Sequence, residues 1–293
     1  MRILPEASND PDNALIGLRK IVARIEGYSP DLALPESAER VFAQKARPLA
    51  FGLSSLDRAL AGGLAPAALH EVTPACAAEA ASARRRPASM ADLGSALGFT
   101  LALAARARQA RNETGKSVLW IATDFAALEA GDTYGLGCDL FGLSARELVI
   151  VKVARATDAL WAMEEALKCR ALAAAVAELP NDAAVADLTA TRRLTLAARE
   201  GGGFGFLLRH RGSALTSSAE TRWRVAAAPA MPDRFGGLGR AAFSLTLHKN
   251  RRGPTGRWPI AWNHHERAFE ALSLGVAAAA PDRQDRAPLR SAG

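Results

Sequence analysis

Five short apolar runs set the strongest limit on how this chain folds. They are Ala67–Val72, Ser117–Ala122, Leu148–Val153, Leu172–Leu179 and Gly203–Arg209. Each has the length of a strand buried on both faces, and stretches of helical spacing separate most of them. Ala91–Arg111 carries Leu93, Leu97, Leu101 and Ala104-Ala105 at intervals that predict one buried helical face. Asp158–Arg170, with Leu160, Trp161, Met163 and Leu167, and Asp187–Glu200 predict two more helices. Strands alternating with crossover helices require a mostly parallel sheet covered on both faces, an α/β architecture. After Arg209 the pattern changes. Thr221–Ala228, Ala242–Asn250 and Trp258–Asn263 are strand-like with no room for helices between them, which predicts an antiparallel extension of the sheet.

The entry to this core is Phe51–Thr73, FGLSSLDRALAGGLAPAALHEVT. Leu53, Leu56 and Leu60 lie on one face of a short helix that Ser54 or Ser55 is placed to cap. Gly62-Gly63 ends it, because glycine takes the left-handed backbone that a helix terminus often needs. A turn then leads into the first strand. In order and wording this stretch resembles the entry to the ATPase core of RecA-type proteins. It is still more similar to the ImuA family of bacterial damage-inducible mutagenesis proteins, which are RecA-like in fold. The resemblance continues through SVLWIA, the Tyr134-Gly135-Leu136-Gly137 and Phe141-Gly142-Leu143 segment, ARELVIVKVARATDALWAMEEALKC, RWRVAAAP and LHKNRRGPTGRWPIAWN. It covers about residues 48–265. It implies a RecA-like central sheet flanked by helices, preceded by residues 1–47 and followed by a tail, 266–293. An amphipathic helix over Ala14–Glu26 and a proline-punctuated connector over Tyr28–Pro48 occupy the first part. From Gly275 onward the tail has little to bury, and disorder is expected there.

A RecA-like ATPase holds phosphate in a glycine-rich loop after its first strand, with a lysine on the β/γ oxygens and a hydroxyl on magnesium. Here that place reads TPACAAEAASARRRPASM, which contains no glycine and no lysine. Alanines would set Cβ atoms where a diphosphate approaches the backbone. The insert Arg84–Arg86 supplies charge without the tight cradle. Gly115-Lys116-Ser117 is a decoy, since it precedes a strand and Ala110 stands where the first glycine belongs. Where RecA-type enzymes carry the glutamate that orients water, this chain has Asp124, read here as a cap of the next helix. Glu178 stands where an aspartate would help hold magnesium, and without a phosphate loop it is read as a capping or salt-bridging group. The expectation is a non-enzymatic protein with no cofactor. An ATP-dependent recombination or repair ATPase, and a cell-division inhibitor on a RecA-like core, are the alternatives.

The net charge is +7, from 37 Lys and Arg against 30 Asp and Glu. From Glu200 to His265 the cations are Arg209, Arg211, Arg222, Arg224, Arg234, Arg240, Lys249, Arg251, Arg252 and Arg257. Only Glu200, Glu220 and Asp233 oppose them, so this segment alone matches the surplus of the whole chain. Arg209, Arg211, Arg222, Arg224, Lys249, Arg251 and Arg252 are the candidate nucleic-acid or partner surface, with a solvated basic sheet edge as the alternative. By resemblance, the loop at about His210–Glu220 faces DNA, and the lysine-bearing closing segment faces a neighbouring subunit's nucleotide. Trp223 and Trp258 are read as core, with stacking on a base as the other role open to them. The resemblance implies an ImuB-type polymerase homologue and an error-prone polymerase as partners, with RecA itself and single-stranded DNA as further ones. Cys76, Cys138 and Cys169 are scattered and the five histidines form no ligand spacing, so neither a disulfide framework nor a metal site is expected. No signal-peptide layout or run of about 20 apolar residues appears, and a cytoplasmic protein is expected.

Overall fold

The structure, a computed structural model, describes residues 47–75, 89–110, 116–180, 185–210, 216–230, 237 and 239–272. The expected helix over 14–26, the Arg84–Arg86 insert, Arg211 and the tail from residue 275 lie outside the described residues.

Helix α1, Ser54–Ala59, opens the core, and neither serine caps it. Asp57 does that work from inside the helix. Its carboxylate accepts the backbone N–H groups of Phe51, Gly52 and Leu53 at 2.6, 2.9 and 3.1 Å. Gly63 follows at φ +131, and a Cβ there would lie 2.4 Å from the Leu49 carbonyl oxygen. Only glycine fits, because Leu49 and Leu64 pair across this point.

Strand β1, Ala68–Pro74, is buried at every position. Its successors are β2, Ser117–Thr123; β3, Leu148–Val153; β4, Leu172–Leu179; β5, Phe204–Arg209; and β6, Thr221–Ala227. Strands β7, Ala242–Asn250, β8, Gly256–Asn263, and β9, Ala268–Ala271, complete a nine-stranded sheet in the order β3-β2-β4-β5-β1-β6-β7-β8-β9. The first six strands run parallel, and β7, β8 and β9 are antiparallel. This is the mostly parallel, helix-flanked sheet with an antiparallel extension that the sequence led us to expect, with two corrections. Strand β6 was expected in the antiparallel extension, but it pairs with β1 in parallel, Glu71 opposite Arg222 and Val72 opposite Trp223. Among its described residues the path from β5 to β6 contains no helix, and helix spacing was the cue for parallel pairing. Strand β9, four residues long, carries the sheet through Ala271, past the expected boundary at residue 265.

Helices α2, Met90–Ala110; α3, Asp124–Ala130; α4, Gly135–Leu140; α5, Ala156–Lys168; and α6, Leu188–Gly201, complete the described elements. Helices α5 and α6 pack together on one face, over Leu69, Leu119, Ile121, Ala175 and Leu207. Helix α2 covers the other face and was expected to bury a single side. Instead Ala96, Phe99, Ala102, Leu103, Ala104, Ala105 and Ala107 all have 0% exposure, so contact surrounds most of it. The sheet lies beneath, and Phe141 closes from another direction, so close that a Cβ on Gly98 would fall 2.8 Å from its ring. Arg106 ties the helix to Ala50 and Arg267 through their carbonyl oxygens at 2.6 and 3.2 Å. The alanines are therefore a packing requirement: larger side chains would hold the neighbouring layers apart. Phe51, Phe99, Trp223 and Phe269 form the aromatic centre beside α2, with ring centroids 5.2–6.3 Å apart.

Candidate functional site

The strand order brings the C-terminal ends of β2, β4 and β5 together, the edge at which open α/β sheets hold their ligands. Side chains of this chain fill that edge. Thr123, rather than Asp124, caps α3, accepting the Ala126 N–H at 3.1 Å; Asp124 is the first helical residue and favours the positive end of the helix by charge. Glu178 is 5% exposed, and each of its oxygens has a partner. Its Oε2 accepts the Trp120 indole N–H at 3.1 Å, and its Oε1 lies 2.7 Å from His210 Nε2. His210 Nδ1 contacts Glu129 of α3 at 3.2 Å. Burial works against the charged ring, but the two carboxylates outweigh it and raise the His210 pKa above its usual value. The arrangement clamps α3 to the sheet. Each Glu178 oxygen thus already has a partner within the protein, the salt-bridging role expected for it. Sequence reading missed Glu129 and His210, because the pair is 81 residues apart and neither belongs to a recognisable spacing.

A second buried cluster joins β1, β5 and β6. Glu71 of β1, with a fully buried side chain, meets Arg209 Nη2 at 2.9 Å and Arg222 Nε at 2.7 Å. Arg209 also donates to the Ala186 carbonyl at 2.8 Å and is only 1% exposed. Arg209 was expected on a nucleic-acid or partner surface; it is instead a structural cation, because its strand end lies under the loop that carries Ala186. Part of the His210–Glu220 segment corrects the same way, although Thr216 is exposed and residues 211–215 lie outside the described residues. His210, Ser217, Ser218 and Ala219 are buried, and Arg211 lies outside the described residues.

The remaining candidates lie on β6, β7 and the turn beyond. Arg222 is half-buried against Glu71, whereas Arg224 is exposed. Trp223 between them is 0% exposed, its indole N–H donating to Thr221 Oγ1 at 2.8 Å, so the stacking role is closed to it. Trp258 packs against the same core. The Lys249 ammonium donates to the Ser217 carbonyl at 2.5 Å. Desolvation first, then the charge of Arg251, lower its pKa. Arg251 and Arg252 are exposed on the β7–β8 turn, where Arg252 Nη2 donates to Ala61 O at 3.2 Å. Of the expected surface, then, Arg222, Arg224 and Lys249 share one region, Arg251 and Arg252 flank it, and Arg209 is withdrawn. Arg257 of β8, exposed beside Arg224 across β7, belongs with them.

An apolar surface escaped sequence reading altogether. Phe125 and Leu128 on α3, and Leu136 and Leu140 on α4, are 51, 84, 64 and 59% exposed, and Ile150 follows on β3, an edge strand of the sheet. Among the described residues, no group of three or more His, Cys, Asp or Glu is placed to hold a metal ion, and no helix is long and apolar enough to cross a membrane.

No family model matches the chain. It is 34% identical over 223 residues to Protein ImuA of Caulobacter vibrioides strain NA1000, covering 72% of this chain and 81% of that protein. The same figures hold for Protein ImuA of Caulobacter vibrioides strain CB 15. Among solved structures, the crystal structure of the RadB recombinase matches with a TM-score of 0.48 and 16% identity, over 77% of this chain and 100% of that one.

Proposed function

Because the chain belongs to the ImuA family, we propose that it is a non-catalytic accessory protein of DNA-damage-induced mutagenesis, built on a RecA-like core that does not turn over nucleotide. Its role is to assemble partners during synthesis past lesions. Those partners are an ImuB-type polymerase homologue and an error-prone replicative-type polymerase, with RecA a further one, and single-stranded DNA is the polyanion met by its basic closing strands.

The observation that carries the non-catalytic reading is the occupation of Glu178. An ATPase needs an acidic group free to meet magnesium or water. Here that position is held by His210 and Trp120, and the segment after β1 offers neither glycine nor lysine to phosphate. What supports a protein partner is that α3 and α4 leave Phe125, Leu128, Leu136 and Leu140 exposed, large apolar side chains of the kind that interaction sites use. The direct test is capture of an ImuB-type protein by this chain, with RecA as second bait. Retention of the first supports the reading, and failure to retain either contradicts it.

A further inference from the structure

Among the described residues, no helix packs substantially on the face of β6–β8 opposite α2. Helices α5 and α6 pack over β1 to β5 and make no substantial contact with β6, β7 or β8. On this uncovered face Arg224 stands opposite Thr246, and Thr246 opposite Arg257. The three form a row across adjacent strands, with both arginines exposed.

A bulge adds to the row. Arg222 pairs with Lys249, but Trp223 pairs with Leu247, so β7 carries one extra residue here. Leu247 points into the core at 1% exposure. Strict alternation would send Lys249 inward after it. The bulge instead turns both His248 and Lys249 to the uncovered face, beside Arg222. Cations placed directly across neighbouring strands repel, which costs stability rather than adding to it. The single buried carboxylate of Glu71 already serves Arg209 and Arg222 together. This side of the three strands carries Arg222, Arg224, Lys249 and Arg257 among the described residues, with Glu71 against Arg222 and Glu220 acting on Lys249.

We propose that this face binds the phosphate backbone of single-stranded nucleic acid, with Arg224 and Arg257 as the principal contacts and Arg222, His248 and Lys249 in the adjoining row. Rows two residues apart on a strand are about 6.7 Å apart and neighbouring strands about 4.8 Å apart, so the cations form a regular lattice rather than one pocket. Between the arginines stands the hydroxyl of Thr246, and next to it on the same strand Ser244, both suited to phosphate oxygens. A protein interface commonly carries an apolar centre of large side chains; the apolar groups on this face are the small Ala226 and Pro259 beside Ser244. The assignment rests on the reading that the closing strands meet nucleic acid, and it replaces Arg209 with Arg257.

The test is fluorescence anisotropy of a labelled single-stranded oligonucleotide at several salt concentrations, on the full chain and on Arg224→Gln/Arg257→Gln. Each phosphate contact contributes about 0.7 to the slope of log affinity against log salt for single strands. The double variant is expected to bind at least about tenfold more weakly at low salt, with a slope shallower by about 1.4. Circular dichroism melting should be unchanged, and Arg224→Lys/Arg257→Lys, which keeps the charge, should retain most of the affinity. Unchanged affinity and slope in the glutamine variant, or no binding by the full chain at low salt, would overturn the proposal. Displacement of DNA by polyglutamate at equal charge concentration would also overturn it, by assigning the face to an acidic protein. Partner capture by the same variants separates this from the accessory role: intact capture with lost DNA binding leaves that role standing.

Discussion

Two histidines in this core set opposite pH responses. His70 is buried between β6 and the turn before β1. Trp223 donates to Thr221 Oγ1, the Thr221 hydroxyl donates to His70 Nδ1 at 2.8 Å, and His70 Nε2–H donates to Ala65 O at 2.9 Å. Burial lowers its pKa from 6.5 to about 4. A group depressed on folding stabilises above its unfolded value and loses that contribution as pH falls toward the folded one. We therefore expect about 3 kcal/mol to be lost between pH 6.5 and about 4. His210 is raised, so its contribution is complete below pH 6.5 and fades as pH climbs through the folded value. Urea titrations across pH should show stability falling on both sides, and His210→Gln should flatten the alkaline limb alone. Equal slopes in both proteins on that limb would contradict the assignment. Ala67 is a separate case. It stands at φ 55, where a Cβ is disfavoured. Ala67→Gly should raise stability by about 0.5–1 kcal/mol, the relief of strain exceeding the entropy that glycine loses; a lower stability would mean that contacts of the methyl group matter more.

Among the elements, α3 and α4 carry their apolar residues outward. Leu128→Asp with Leu136→Asp should leave the denaturation midpoint within about 0.5 kcal/mol of the parent, because exposed side chains contribute little to stability. The same variant should fail to capture a protein partner if this surface docks one. A large loss of stability would instead place these leucines in the fold. The central strands were legible in sequence because burial on both faces leaves uninterrupted apolar runs, SVLWIA and LAAAVAEL among them, whereas LVIVKV reads alike yet forms the partly exposed edge strand β3. Strand β6 was legible as a strand but not in its direction, since WRV alternates alike in parallel and antiparallel pairs. The enclosure of α2 was not legible, because alanine serves a helix surface and a helix core equally well. The contacts of Arg209, Glu71, Glu129 and His210 depend on long-range pairing, which local spacing does not encode. The bulge that turns Lys249 outward arises from the same cause, a register fixed only by the neighbouring strand.

At the scale of the whole molecule, polar groups at the C-terminal ends of the parallel strands bind one another. Thr123 caps α3, Glu178 and His210 are joined, and Glu71 neutralises two arginines. Each of these is a stabilising use of a polar group at an edge where an ATPase would keep its groups open. The surplus charge and the exposed apolar surface lie elsewhere, on β6–β8 and on α3–α4. This division suits a protein that brings nucleic acid and a protein partner together without chemistry of its own. The central claim is that the core no longer binds nucleotide, and calorimetric titration of the full chain with ATP and magnesium tests it most directly. The account predicts no heat beyond dilution and no hydrolysis above background. Saturable, magnesium-dependent binding in the micromolar range would contradict it.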